Sequence, residues 1–242
     1  MMNQHQMQMS FPRLKCNLTY KHIKIMDSKV RARRAKFEAY IGRYLTFWNY
    51  LNAYQTAFNA LQDDVDQNKI SIDTVAYPML FMARHSLELG FKANIRYFEK
   101  YSERKDFTNS DSHNLKDLFN GFKLHINATF KAFKTKHDID VEEADIKEFE
   151  NYCEEVEKLT EQFDILDRGS HSFRYPVDKK NNVVFDYSDT VNLLDIKEVF
   201  DKSMTLLNYT AEVYSKYTDY VDHIEGMYEE EMRRAYGFNG YF

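Results

Sequence analysis

The sequence is poor in the two residues that most often interrupt helices, with 7 glycines and 3 prolines in 242 residues. Collagen-like, turn-rich β and low-complexity chains all need more of them, so these classes are disfavoured. Aromatic residues, in contrast, make up 16% of the chain, whereas disordered segments contain few. The composition therefore predicts a helical globular protein that is long enough to bury a substantial core.

Long apolar runs and cysteine motifs are also missing. No apolar run approaches the roughly 20 residues of a membrane-spanning helix, and the N-terminal stretch MMNQHQMQMSFPRLK lacks the apolar core of a signal peptide. The two cysteines, Cys16 and Cys153, have neither metal-ligand nor redox spacing. No Walker loop, dinucleotide-binding glycine pattern, HExxH or GxSxG motif occurs. We therefore expect a cytoplasmic protein with reduced thiols, no membrane contact, no metal and no cofactor.

Charge is distributed unevenly along the chain. The net charge is −5, yet the segment 13–43 carries about +8 and the remainder about −13. Five basic side chains cluster in one short stretch and form the candidate nucleic-acid-binding set: Lys29, Arg31, Arg33, Arg34 and Lys36. Such a cluster suits phosphate contacts. The alternative is a solvated helix start, or an arm that pairs with the acidic segment 142–161.

Apolar residues recur at steps of three and four along most of the chain, which predicts long helices. The expected helices cover about 27–66, 77–101 with Pro78 in the first turn, 114–133, 141–167, 189–223 and 225–236. The segment VDKKNNVVFDY, with Asn181 and Asn182 at a turn, predicts a small β-hairpin before the last long helix.

The predicted fold class is therefore all-α: an antiparallel four-to-five-helix bundle with a small β-hairpin insertion. We expect a loosely packed N-terminal arm over residues 1–28, the helical bundle over 29–224, and a short C-terminal helix and tail over 225–242. The absence of a Pro/Gly-rich linker or an internal repeat favours a single helical domain.

Polar residues that could carry chemistry lie on the apolar face of the second long helix and in a later turn. A helix that buries Arg84 and Glu88 must pair them, because an unpaired buried charge is costly. The turn DRGSHSFRYP contains the other concentration of such groups. The candidate catalytic residues are Arg84, His85, Glu88, His113, Arg168, His171, Arg174 and Tyr175.

These residue types suit metal-independent RNA cleavage, in which a 2′-hydroxyl attacks the adjacent phosphate. Histidine is the natural acid or base near neutral pH, and arginine binds phosphate and stabilises the charge that develops during its cleavage. The alternative is purely structural. Arg84 and Glu88 would form an ordinary i,i+4 pair, His113 would cap a helix, and Arg174 would tether the hairpin.

Three motifs carry a resemblance to a known family: MARHSLELGFKANI, SHNLKDLF and DRGSHSFRYPVD. With the hairpin and long helix that follow, they resemble the HEPN superfamily of helical bundles over roughly residues 37–220. The matching residues are Arg84, His85, Glu88, Lys92, His113, Arg174, Tyr175 and Pro176. The resemblance implies a bacterial protein of an anti-phage defence or toxin–antitoxin system, often a ribonuclease and commonly a homodimer, with RNA and a cognate antitoxin or defence protein as partners.

One feature departs from the family pattern. Catalytic HEPN ribonucleases carry an arginine and a later histidine with four to six residues between them, and no pair here has that spacing. Arg84 and His85 are adjacent, and Arg168 precedes His171 by three residues. Two functions therefore stay open: a ribonuclease with a rearranged Arg/His set, or a non-catalytic module that binds nucleic acid, a nucleotide or a partner protein.

Overall fold

The structure, a computed structural model, describes residues 28–39, 42, 45–104, 112–167 and 169–236. The helices are α1 (Ser28–Lys36), α2 (Phe47–Asp66), α3 (Ile72–Ser102), α4 (Leu115–His137), α5 (Glu143–Asp167), α6 (Leu193–Val213) and α7 (Ser215–Ala235). No strand is present in these ranges, so the all-α class predicted from the sequence is confirmed. No helix in the same ranges has the length and apolar character needed to cross a membrane.

The chain divides into two compact units, Met1–Arg43 and Tyr44–Phe242. The first contains α1, whose nine residues are all exposed. The second contains the helical bundle. Residues 1–27 of the predicted arm and 237–242 of the predicted tail lie outside the described residues, and the predicted domain boundaries stay predictions.

Helix α3 is the centre of the second unit. Residues 86–95 are all buried, so this part of the helix is covered on every side, as in the interior of a large domain. Helices α2, α4 and α6 pack around it. The α6 contact is close: a Cβ placed on Gly90 would lie 2.7 Å from Leu207 Cδ1. Such an approach needs a residue without a side chain.

The directions of the helices differ in part from the predicted antiparallel arrangement. Contacts of α3 with α2 run in opposite directions, since Tyr54 meets Phe81 whereas Phe47 meets Arg96. Contacts of α3 with α4 instead advance together, from Phe91 with Phe119 to Tyr101 with Phe133. Helices α3 and α4 are thus parallel. A parallel pair needs a long return connection, and 103–114 has enough residues to reach about 40 Å when extended.

Helix boundaries differ from the predicted ones at two places near the N-terminus. The single helix predicted over 27–66 is wrong, because α1 ends at Lys36 and α2 begins after Thr46. Thr46 Oγ1 accepts a hydrogen bond from the Asn49 backbone N–H at 3.2 Å, which is an N-cap that satisfies a first-turn donor. The aromatic spacing continues across this break and conceals it.

Pro78 does not lie in the first turn of α3, where the sequence predicts it. The helix begins six residues earlier, at Ile72. Proline removes the hydrogen bond to the carbonyl four residues before it. That carbonyl belongs to Thr74, which is exposed, so water can take the place of the missing donor.

The C-terminal third also differs from its prediction. The predicted β-hairpin is reduced to a turn closed by one antiparallel bridge between Val177 and Val183, with Asn181 in the left-handed region at φ 62°. The last long helix starts after Asn192, whose Oδ1 accepts from the Leu194 N–H. It then breaks at Tyr214 rather than near 224. Tyr214 is buried, and its hydroxyl donates to the Asp145 carbonyl.

Candidate functional site

Glu88 is the centre of a buried polar network on α3. Its side chain is only 3% exposed. Oε1 accepts hydrogen bonds from Lys92 Nζ at 2.9 Å and from the His113 ring at 2.8 Å. Oε2 accepts from Arg84 Nη1 at 3.3 Å, and His85 Nδ1 lies 3.9 Å from it. Two permanent cations and two histidines therefore surround one carboxylate.

Arg84 connects three parts of the chain. Besides Glu88, its guanidinium donates from Nε to the Asp167 carbonyl at 3.0 Å and from Nη2 to the His113 carbonyl at 2.6 Å. Each of its three nitrogen atoms thus donates to a protein oxygen, and the side chain is 1% exposed. Arg84 holds the C-terminal end of α5 and the start of α4 against α3, and it has no surface left for a phosphate.

Asp167 closes the network on the side of the later turn. Its Oδ2 lies 3.5 Å from Arg84 Nε, and its Oδ1 accepts from the backbone N–H groups of His171 at 2.6 Å and Ser172 at 2.8 Å. The structure therefore brings α3 and the 169–176 turn together through one aspartate at the end of α5.

Opposing forces act on the charges of this network. Burial by itself would raise the pKa of Glu88, but the nearby His85 ring, the Lys92 ammonium and His113 outweigh it and hold the pKa well below the usual value. Burial lowers the pKa of Arg84, while Asp167 and Glu88 act against that change and Arg174 adds to it. Glu88 is therefore ionised at neutral pH.

His113 is the member of the network that reaches solvent, with 67% of its side chain exposed. An ionised carboxylate can only accept hydrogen bonds, so the His113 Nδ1 next to Glu88 must carry the proton. In the neutral ring, Nε2 then holds the free lone pair. A buried carboxylate that fixes the tautomer of an exposed imidazole is a general way to prepare a histidine for proton transfer.

The remaining predicted residues lie around this centre. His85 stacks on Phe81 at 5.4 Å between ring centroids. Arg174 is exposed; its Nε donates to the Ser170 carbonyl at 2.6 Å, and its guanidinium lies 5.9 Å from the Phe81 ring centroid. The His171 ring packs on Tyr175 at 5.0 Å. Arg168 lies outside the described residues.

The basic set of α1 is exposed and belongs to the first unit. In the second unit, burial raises the pKa of the free Cys153 thiol to about 12, which is unfavourable for nucleophilic chemistry. Within the described ranges no three His, Cys, Asp or Glu side chains are grouped to hold a metal ion.

Two members of the network are not among the predicted catalytic residues. Lys92 enters only through the family resemblance, and Asp167 is not predicted at all. The i,i+4 spacing of Glu88 and Lys92 is a signal that the sequence does contain. No local pattern could reveal Asp167, because its partner Arg84 is 83 residues away.

Comparison of the chain with protein-family models, curated proteins and solved structures gives no match. Function is therefore inferred from the geometry of the site and from the resemblance of its motifs.

Proposed function

We propose that this chain is a HEPN-like protein of a bacterial anti-phage defence or toxin–antitoxin system, and that it cleaves RNA without a metal ion. The observation that carries the proposal is His113, an exposed imidazole whose Nδ1 is fixed by the buried Glu88 carboxylate at 2.8 Å. Arg84 acts as a positioning residue in this proposal, because it holds both Glu88 and the His113 carbonyl.

In the proposed reaction, His113 Nε2 takes the proton of a ribose 2′-hydroxyl. The 2′ oxygen attacks the adjacent phosphorus, and the bond from phosphorus to the 5′ oxygen breaks. His171 protonates the departing 5′ oxygen, which leaves a 2′,3′-cyclic phosphate and a 5′-hydroxyl. Arg174 is exposed and supplies positive charge for the phosphate.

The test is cleavage of labelled structured and single-stranded RNAs by the purified chain in excess EDTA. We expect products ending in a cyclic phosphate. His113→Ala should lower the rate by about 10² or more, the usual contribution of general acid–base catalysis. The matched control is His223→Ala, an exposed histidine of α7, which should retain the rate within about twofold.

Two results would contradict the proposal: no cleavage of any RNA by the folded wild-type chain, or a His113→Ala variant as active as wild type. Removal of the His113 ring also takes one hydrogen bond from the buried Glu88, a loss of about 1.5–3 kcal/mol, so rates are compared at a temperature where circular dichroism shows both proteins to be folded. Growth arrest on expression, relieved by a co-expressed neighbouring gene product, would support an antitoxin partner. Light scattering would test the homodimer that the resemblance implies.

A second candidate function is RNA binding without cleavage. It is favoured by the exposed basic set of α1. It is also favoured by the burial of Arg84, which keeps this arginine from contacting a phosphate. Neutralising Arg31, Arg33 and Arg34 with glutamine should reduce the salt dependence of RNA binding. The slope of log K against log salt should become shallower by about 0.7 for each phosphate of a single strand that the variant no longer neutralises. An unchanged slope would exclude these residues from binding.

A further inference from the structure

A cavity of about 600 Å³ lies along the face of α3 next to the one that carries the buried network. Residues from the start of α2 and the middle of α3 line it: Leu45, Thr46, Phe47, Trp48, Tyr50, His85, Leu89, Ala93, Arg96 and Tyr97. Four of these are large aromatic residues. A concave, mostly apolar surface with a few polar groups is the usual form of a small-molecule site.

The described residues that line this cavity carry positive charge and no negative charge. Among the described residues that line the cavity, Arg96 is the permanent cation and none is a carboxylate. The Arg96 guanidinium lies 4.4 Å from the Phe47 ring centroid, and in the described part of the chain no acidic side chain pairs with it. Stacking uses the face of a guanidinium and leaves its N–H edges available for a bidentate anion.

We infer that this cavity binds a nucleotide unit, with its base on the Trp48 ring and its phosphate on Arg96. Aromatic side chains accept any base by stacking, and arginine matches phosphate geometry. The unit is either a free nucleotide or part of a single strand, since the chemistry is the same. The inference does not depend on RNA cleavage.

His85 gives this cavity a connection to the network. Its ring lines the cavity, stacks on Phe81 and approaches Glu88 Oε2 at 3.9 Å. Glu88 in turn holds His113. A ligand that contacts His85 is therefore one side chain away from the carboxylate that orients the exposed imidazole.

The chain contains its own reporter for this test. Trp48 is its single tryptophan, so a base stacked on it should quench the intrinsic fluorescence. We would titrate the full chain with the four ribonucleoside monophosphates and, in parallel, with a single-stranded RNA decamer. Calorimetry would confirm the binding constants. Saturable quenching is expected from at least one probe, and the probe that binds distinguishes a free nucleotide from a strand.

Arg96→Gln should weaken that binding by at least tenfold. The control is Arg233→Gln, an exposed arginine of α7 that pairs with Glu229 at 3.2 Å and should bind as wild type does. Removing the phosphate, with the nucleoside as the probe, should weaken wild-type binding by a similar factor. The inference is overturned if no probe binds at millimolar concentration, or if folded Arg96→Gln binds within twofold of wild type. RNA cleavage assays are independent of either result.

Discussion

Two neighbouring rows of helix α3 use the same types of residue in opposite ways. The first, the closed row, consists of Arg84, Glu88 and Lys92, which are buried and joined by ion pairs of 3.3 and 2.9 Å. The second, the open row, runs from His85 to Arg96 and lines a cavity that is open to solvent. In the first row each cation meets a carboxylate, whereas Arg96 meets an aromatic ring. An arginine that is buried and donates from each of its nitrogens to protein oxygens maintains the fold, and an exposed one without such partners can bind a ligand.

Loss of the carboxylate in the closed row should have the largest effect. Glu88→Gln would leave Lys92 buried without its anion and Arg84 with Asp167 alone, and breaking a buried ion pair in this way typically costs about 3–5 kcal/mol. Urea denaturation should show this loss in the free energy of unfolding. The exposed Glu150→Gln serves as the control, with an expected change within about 0.5 kcal/mol. A loss below about 1 kcal/mol for Glu88→Gln would mean that the network is dispensable.

The packing between α3 and α6 offers a second test, at a face of α3 that carries no charge. Gly90→Ala would place a Cβ 3.0 Å from Leu207 Cβ, an atom that cannot move without its helix. We expect a loss of about 1–3 kcal/mol from overpacking. Gly226→Ala in α7 meets no atom within 4 Å and should gain up to about 1 kcal/mol from helix propensity. Equal effects at both sites would contradict this description of the interface.

Acid should weaken the closed row. The pKa of Glu88 is lower in the folded chain than in the unfolded chain, so its stabilising effect is complete above the unfolded value near 4.3 and disappears as the pH falls below it. Between about pH 5 and pH 3, wild type should lose stability faster than Glu88→Gln, by at most about 1.4 kcal/mol per pH unit. Parallel stability curves for the two proteins would show that Glu88 has an ordinary pKa.

The smallest effect is expected at the edge of the open row. The Tyr97 hydroxyl shares a 2.8 Å hydrogen bond with Thr218 Oγ1 of α7. Tyr97→Phe should therefore cost about 1 kcal/mol, the usual net value of such a bond. The same change at the exposed Tyr50 should cost almost nothing. If both substitutions have the same effect, the hydrogen bond between α3 and α7 contributes no stability.

Much of the fold could be predicted from the spacing of apolar residues. The all-α class follows from it, and so do α4 and α5, whose predicted positions lie within a few residues of the observed ones. The break between α1 and α2 and the break at Tyr214 escape prediction because apolar spacing continues through both. The parallel direction of α4 escapes it because periodicity shows which face is buried and carries no information about direction.

For the candidate site, the pattern of residues along α3 already requires Arg84 and Glu88 to be paired if their helix is buried, because an isolated charge cannot remain in an apolar interior. The groups that complete the pair come from other helices and could be found only once the packing was known. It brought Asp167 and His113 to the two ends of one guanidinium, and it left Arg96 next to an aromatic ring. The reason is physical: an i,i+4 pair is fixed by the pitch of one helix, whereas contacts across 83 residues depend on how separate helices pack.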